Sequence, residues 1–379
     1  MQKSIVAVFT AVSQIDEPVF EILSRETEGV NVDLFYWNDY GLRRAQLDPE
    51  LGQVPVFPDL AELSSRVRRH WIDSRQHGMD ALVRAILEKS PKFVILNDLN
   101  TRAKFTVARR LRKKGVRVGF RSDKNYLSAN AHSGLKLLLE RAAYRAGFDI
   151  FFNIAQLSSR YYAWPASKPR VLFPYPTDLQ KFSAPQHAGV RQSTRDGLNI
   201  PQNARVLLCV AKFVERENPM DVIRAFLEAR KRTENIYLIA VGSGVLMGPM
   251  KALAAEQPGG EDIRFVGYVP FAELQDYFFA SDIFLHLANR EPWGVSVSDA
   301  LCAGLGVITT DHVGAGVELL RDDLQKYVVP IGRPGQVAGL VCDLVMRDDI
   351  AETFAVARNR VRSEYSSAAT ARRLASVGE

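Results

Sequence analysis

The sequence predicts an α/β chain of two doubly wound Rossmann-like domains facing across a cleft. Three observations lead there. Apolar runs alternate with amphipathic segments along the whole length, one polar stretch interrupts the alternation, and charge is divided unequally on either side of it. Alternation of this kind is the pattern of parallel sheets covered by helices. With 379 residues, 47% of them apolar, the chain exceeds one ordinary core and can fill two.

In the first half the strand segments are 5–9, 30–37, 93–97, 116–120, 148–154 and 171–173. In the second they are 206–210, 236–241, 263–266, 283–287, 307–309 and 327–330. Between the two sets, 183–203 is polar and carries Pro185, Gly189, Gly197 and Pro201, which fits a linker plus a short helix. The domains expected are therefore 1–185 and 186–365, with a last helix over 366–379 packing back on the first. Open sheets of this class bind ligands outside the carboxyl ends of their strands, which places the expected site in the cleft.

Residues 1–185 hold 28 Lys and Arg against 19 Asp and Glu, while the remainder holds 21 against 24. Much of the excess lies on Arg102 to Arg117, an amphipathic helix with eight basic residues. Such a face can make peripheral contact with an anionic membrane or hold an acidic acceptor, the alternative being a solvated charged helix. No aromatics are interleaved for base stacking, so nucleic acid is not expected as a partner. Cys209, Cys302 and Cys342 lack the paired spacing of a disulfide framework or metal site, which implies a reducing compartment. No apolar run approaches the roughly 20 residues of a membrane span, and Met1 to Val12 lacks a basic start and cleavage site. The expected location is cytoplasmic, with any membrane contact peripheral at the inner face.

The segment richest in chemistry runs from Glu291 through Pro292, Trp293, Gly294, Val295 and Ser296 to Asp299 and Gly304. A helix opening near Gly294 would bury Val297, Ala300 and Leu301 and place Ser296 and Asp299 on another face. Its N-terminal amides would carry the partial positive charge that attracts phosphate oxygens. Here the sequence resembles glycosyltransferase family 4, the group 1 glycosyltransferases of the GT-B fold, whose signature is Glu, seven residues, Glu. The resemblance implies that Glu291 contacts donor-sugar hydroxyls, that Trp293 to Ser296 contact sugar and diphosphate, and that Asp299 meets the ribose.

Further landmarks match the same family. Val210 to Pro219 resembles the loop after the first strand of the donor domain, which assigns Lys212 as a phosphate-binding cation. Asn218 and Pro219 read as N-cap and first residue of the next helix. Gly242 and Ser243 resemble the Gly-Asp-Gly turn, Val266 and Tyr268 the base-binding strand end, Asp311 to Glu318 the last loop-to-helix element, and Pro174 to Phe182 the segment closing the first domain. Trp293 reads equally as sugar-pocket wall or core.

Departures matter too. Glu217 stands where the family has a second phosphate-binding lysine. Either Arg216 substitutes from the adjacent position, or Glu217 turns to bond helix amides, or donor binding is weak. In the first domain Arg121 and Asp123 occupy the place of the family's histidine and acid, giving a positioning role for phosphate or acceptor hydroxyl, against a structural ion pair. His132, His286 and His312 are lone histidines; His286 is expected to be satisfied inside a strand, while His312, in a cleft-facing loop, reads as structural or, less favoured, as a substrate contact.

The resemblance implies a retaining hexosyltransferase that uses a UDP- or GDP-sugar and no other cofactor. The acceptor would be a hydroxyl on a glycan, lipid-linked or small molecule, by analogy in polysaccharide biosynthesis. The chain has no Asp-x-Asp motif, and no metal is expected. The rival reading is a catalytically degenerate nucleotide- or sugar-binding partner of another glycosyltransferase.

Overall fold

The computed structural model describes residues 4–27, 31–37, 66–73, 76–127, 134–182 and 189–377. They fall into two compact units, one holding the residues up to Pro176 together with those from Glu364 onwards, the other holding Thr177–Ser363. The division comes ahead of the boundary expected after residue 185, which itself lies outside the described residues.

The first unit is built from β1 (Ser4–Phe9), α1 (Glu17–Glu26), β2 (Asn31–Tyr36), β3 (Val67–Trp71), α2 (Met79–Leu87), β4 (Pro91–Leu96), α3 (Thr101–Arg112), β5 (Arg117–Ser122), α4 (Gly134–Gly147), β6 (Ile150–Asn153), α5 (Gln156–Tyr162) and β7 (Arg170–Leu172). Its seven strands are parallel in the order β3-β2-β1-β4-β5-β6-β7, so the winding reverses between β1 and β4. Alternate residues of each strand feed two cores, as the period of two requires. Val6, Val8, Val94 and Leu96 join α2, α3 and α4 on one face. Ile5, Ala7, Phe93 and Ile95 join α1 on the other, where Ala371 and Leu374 also pack.

Strand β3 was not expected, because Arg68, Arg69 and His70 give it no apolar run. It is an edge strand whose basic side chains are held by acids from neighbouring elements. Arg68 and His70 pair with Asp33 of β2 at 2.5 and 2.7 Å, and Arg69 with Glu17 and Glu21 of α1 at 2.8 and 2.6 Å.

The second unit follows as α6 (Val190–Gly197), β8 (Arg205–Val210), α7 (Pro219–Arg230), β9 (Ile236–Val241), α8 (Met247–Ala255), β10 (Ile263–Gly267), α9 (Leu274–Phe279), β11 (Ile283–His286), α10 (Val295–Ala303), β12 (Gly306–Thr310), α11 (Gly314–Leu319), β13 (Val328–Val329), α12 (Pro334–Val345), α13 (Ile350–Thr353) and α14 (Ala355–Arg360); α15 (Ser367–Val377) belongs to the first unit. The six strands are parallel in the order β10-β9-β8-β11-β12-β13. Winding reverses between β8 and β11, so the loops leaving those two strands emerge side by side. Among the described residues, no helix is long and apolar enough to cross a membrane.

Candidate active site

The loops after β8 and β11 are stitched together by backbone. The amides of Asn289 and Arg290 both donate to the Arg216 carbonyl, at 3.0 and 3.2 Å, and the Asn289 side chain donates to the Glu215 carbonyl at 3.0 Å. On this frame the Arg216 guanidinium reaches Glu291 at 2.8 Å and Glu217 at 2.6 Å. The other oxygen of Glu217 accepts the Lys212 amide at 2.8 Å. Glu217 is therefore a buried brace for its own loop, and Arg216 places a cation beside Glu291.

Glu291 is held from the far side as well. Its amide donates to the His312 carbonyl and its carbonyl accepts from Gly314, each at 3.0 Å, while Oε1 accepts the Trp293 amide at 3.3 Å. Gly294 then turns the chain into α10 with φ 96°, a left-handed conformation that side chains resist. A Cβ there would also stand 3.1 Å from Val313 and 3.4 Å from the Glu291 side chain. In the first turn of α10 the Val297 amide donates back to the Gly294 carbonyl at 3.1 Å, and the partial positive charge of the helix start lies at the end where Glu291 and Arg216 meet.

Along α10, Val297, Ala300 and Leu301 are buried as the periodicity requires, and Ser296 and Asp299 share a partly exposed face. Trp293 is 1% exposed, so of its two readings the structure selects core. Burial pushes the Asp299 carboxyl up to about 7, against the opposing pull of Lys181 and of a hydrogen bond from Thr177, while Asp178 adds to the rise. Lys181 is itself depressed by burial and lies 3.5 Å from the centre of the Phe271 ring. Sequence reasoning missed Lys181. The segment around it had been read as closing the first domain, whereas Thr177 onwards belongs to the second unit, with the short 3-10 turn Leu179–Phe182 against α10.

The other landmark turns pack against the Lys212 loop. Phe213 donates its amide to the Ser243 carbonyl and Gly242 donates to the Gly267 carbonyl, both at 2.8 Å. A Cβ on Gly242 would fall 1.9 Å from the Ala211 carbonyl oxygen, so only glycine permits this approach. Val266 and Tyr268 are partly exposed around the end of β10. Pro219 opens α7 as expected, but Asn218 does not cap it by accepting an amide. Its backbone is left-handed, and its side chain donates to Asp221 at 2.9 Å and to Asn289 at 3.2 Å.

The histidines divide. His312 Nδ1 lies 2.8 Å from the Asn289 carbonyl, in the stitching between loops. His286 is buried and stacked on Phe284, yet neither ring nitrogen finds a hydrogen-bond partner among the described residues, contrary to the expectation of a satisfied strand histidine. His132 lies outside the described residues.

In the first unit the expectation for Arg121 gives way. Its guanidinium is fully enclosed. Nε donates to the Phe173 carbonyl at 3.0 Å, a second nitrogen donates to the Pro174 carbonyl, and the third lies 2.9 Å from Asp16 in an ion pair whose angle falls short of a hydrogen bond. The group also covers the Phe173 ring at 4.0 Å. Arg121 thus locks β5 to the end of β7 and is closed to a ligand. Asp123 is only half-buried and accepts from the Tyr175 hydroxyl at 3.2 Å. Near it lies buried Lys104, lowered to about 8 by desolvation against the charges of Asp98 and Asp123.

The model of the family described as glycosyl transferases group 1 matches residues 190–357, which runs from α6 into α14 and includes the loops after β8, β9, β10 and β11. Over those residues the second unit is similar to the group 1 glycosyl transferases. Among curated relatives, this chain is 28% identical over 158 residues to the alpha-monoglucosyldiacylglycerol synthase of Acholeplasma laidlawii, covering 39% of this chain and 40% of that protein. It is 25% identical over 192 residues to the amylovoran biosynthesis glycosyltransferase AmsK of Erwinia amylovora, covering 49% and 46%. The chain therefore spans under half the length of these curated relatives. Among solved structures, Anabaena HepE in complex with UDP superposes with a TM-score of 0.74 over 100% of this chain and 99% of that one, at 12% identity. That likeness carries the fold, the two Rossmann-like units of the GT-B class.

Proposed function

We propose that this protein is a glycosyltransferase that moves a hexose from a UDP- or GDP-sugar to a hydroxyl of a glycan, lipid-linked or small-molecule acceptor, with retention of anomeric configuration. The observation that carries the reading is the meeting of Arg216 and Glu291, 2.8 Å apart, at the amino end of α10. The names of the relatives, one a lipid glucosyltransferase and one an exopolysaccharide enzyme, support the acceptor classes.

In this reading the bond from the anomeric carbon to the diphosphate breaks as the acceptor oxygen attacks, and negative charge gathers on the leaving phosphate. Lys212, Arg216 and the first-turn amides of α10 stabilise that charge, which is preorganised electrostatics rather than covalent catalysis. Glu291 holds donor-sugar hydroxyls, Asp299 meets the ribose, and Gly242, Ser243, Val266 and Tyr268 frame the base. Asp123 positions the acceptor hydroxyl. These cations and amides do the work of a metal, so none is needed. Retention follows from the family likeness.

The test is calorimetric titration of the full chain with UDP-, GDP- and ADP-sugars, followed by measurement of nucleoside diphosphate release with and without candidate acceptors. Release that requires an acceptor supports transfer; failure of every nucleotide sugar to bind would sink the reading. A noncatalytic binding role has one observation in its favour, that Arg216 is already engaged by two carboxylates. Tight binding with no release in the presence of any acceptor would establish that role instead.

A further inference from the structure

Helix α4 buries Leu137 and Tyr144 in the first unit's core, as one side of an amphipathic helix should. Its opposite side is not polar. Leu135, Leu138 and Leu139 are 72%, 60% and 62% exposed, and Ala142 and Ala146 continue the same stripe at helical spacing towards the carboxyl end. The remaining large apolar residues exposed in the second unit, such as Val245, Met346 and Val356, are scattered along its sequence. A run of leucines aimed away from the core calls for an explanation that isolated exposed residues do not.

The acids beside the stripe, Glu140 and Asp149, are both held in ion pairs. Glu140, the acid of α4, turns aside to Lys124 at 2.7 Å and to the Tyr161 hydroxyl at 2.9 Å, leaving Lys136 as the exposed charge on the first turns. Between α3 and α4 runs a groove lined by Phe105, Arg109, Lys113, Ala143, Ala146 and Asp149, so the exposed cations of α3 flank the carboxyl end of the apolar face. The eight basic residues of 102–117 are not equivalent. Lys104 is buried, while Arg110 and Arg112 are tied to Asp80 and Asp149 at 2.8 and 3.0 Å. Arg102, Arg109 and Lys113 are exposed, and no carboxylate pairs with them among the described residues.

We propose that the outer face of α4, rimmed by Arg109 and Lys113 of α3, is a docking surface for an anionic lipid bilayer, with Leu135, Leu138 and Leu139 entering the headgroup layer. Charge decides between occupants. A second copy of this face would bring cationic rims together, whereas a phosphate-bearing surface neutralises them while its acyl boundary takes the leucines. The leucines lie on the opening turns of α4, which follows the carboxyl edge of the sheet, the edge that also carries Asp123. A docked membrane would thus present its own components near that edge. The binding claim stands apart from the transferase reading and is read without turnover.

The test is flotation of the full chain with phosphatidylglycerol–phosphatidylcholine vesicles and with pure phosphatidylcholine vesicles, at low and high salt. The expected result is flotation with the anionic vesicles alone, weakening as salt rises. L135S/L138S/L139S lowers partitioning more than about tenfold through lost apolar burial. R109Q/K113Q lowers it on the order of twentyfold, about fivefold per charge removed near an anionic surface. All substituted side chains are exposed, so nucleotide-sugar binding and thermal melting remain those of the unmodified chain. The proposal falls if the unmodified chain fails to float with anionic vesicles, or if the triple leucine variant floats equally well. It also falls if sedimentation velocity shows a dimer that the leucine substitutions dissociate, because the stripe is then a subunit contact.

Discussion

Each unit contains an arginine paired with a carboxylate beside the carboxyl edge of its sheet, and the two pairs teach opposite lessons. Arg121 and Asp16 have side chains 0% and 3% exposed, and every nitrogen of the arginine is committed. Arg216 and Glu291 are 23% and 20% exposed, in loops rather than in a strand, at the open end of a helix. The first pair cannot exchange partners without unpacking a core; the second, partly open to solvent, can loosen towards a ligand at lower cost. Chemical identity alone does not make a site. Access and neighbouring dipoles do.

The sharpest way to break this comparison is Arg121→Ala, which leaves Asp16 buried and uncompensated. It should destabilise the first unit by about 3–5 kcal/mol, whereas Arg216→Ala, which leaves Glu217 held by the Lys212 amide, should cost less, about 1–2 kcal/mol in the same urea denaturation. Equal losses would mean that both pairs are structural. Glu291→Gln should reverse the ranking in activity, lowering turnover roughly 10²- to 10³-fold with an unchanged denaturation midpoint, if sugar contact is its role. A variant with full turnover removes Glu291 from the mechanism. Gly294→Ala forces a side chain into φ 96° and should cost about 1–2 kcal/mol, together with weaker nucleotide-sugar binding measured by calorimetry.

The smallest effect concerns Asp299. Its carboxyl is raised to about 7, so between an ordinary carboxylate value and 7 the folded chain keeps a proton that the unfolded chain has lost. Stability of the second unit should therefore fall as pH rises through that window. If the carboxylate form accepts the ribose hydroxyls, affinity for a nucleotide sugar should rise about tenfold from pH 6 to pH 8, and Asp299→Asn should abolish the dependence. The intact sugar diphosphate does not titrate there, so a flat profile in the unmodified chain would exclude the ribose role.

Much of this was legible in the sequence. The twelve strand segments expected from apolar runs all appear, because parallel strands buried on both faces must be apolar throughout. The turn before α10 and its buried stripe were also readable, since both are local patterns. What escaped was long-range pairing. Strand β3 is held by acids from β2 and α1, which its own composition does not reveal. Arg121 looked like a site residue because Asp16, over a hundred positions earlier, left no trace beside it. Lys181 was overlooked because its approach to Asp299 depends on where the chain changes units. Glu217 looked like an obstacle to phosphate, and only the position of the Lys212 amide explains it.

Helix α15 gives the polypeptide an unusual order of assembly. Its Ala371 and Leu374 complete a core begun by Ile5 and Ala7, and it packs on α1 and β7. During synthesis on the ribosome, the first unit must therefore wait with an open hydrophobic flank until the whole second unit has emerged. A chaperone has its longest opportunity on that flank, and a nonsense mutation between Ser363 and Leu374 would damage the end of the protein that was made first.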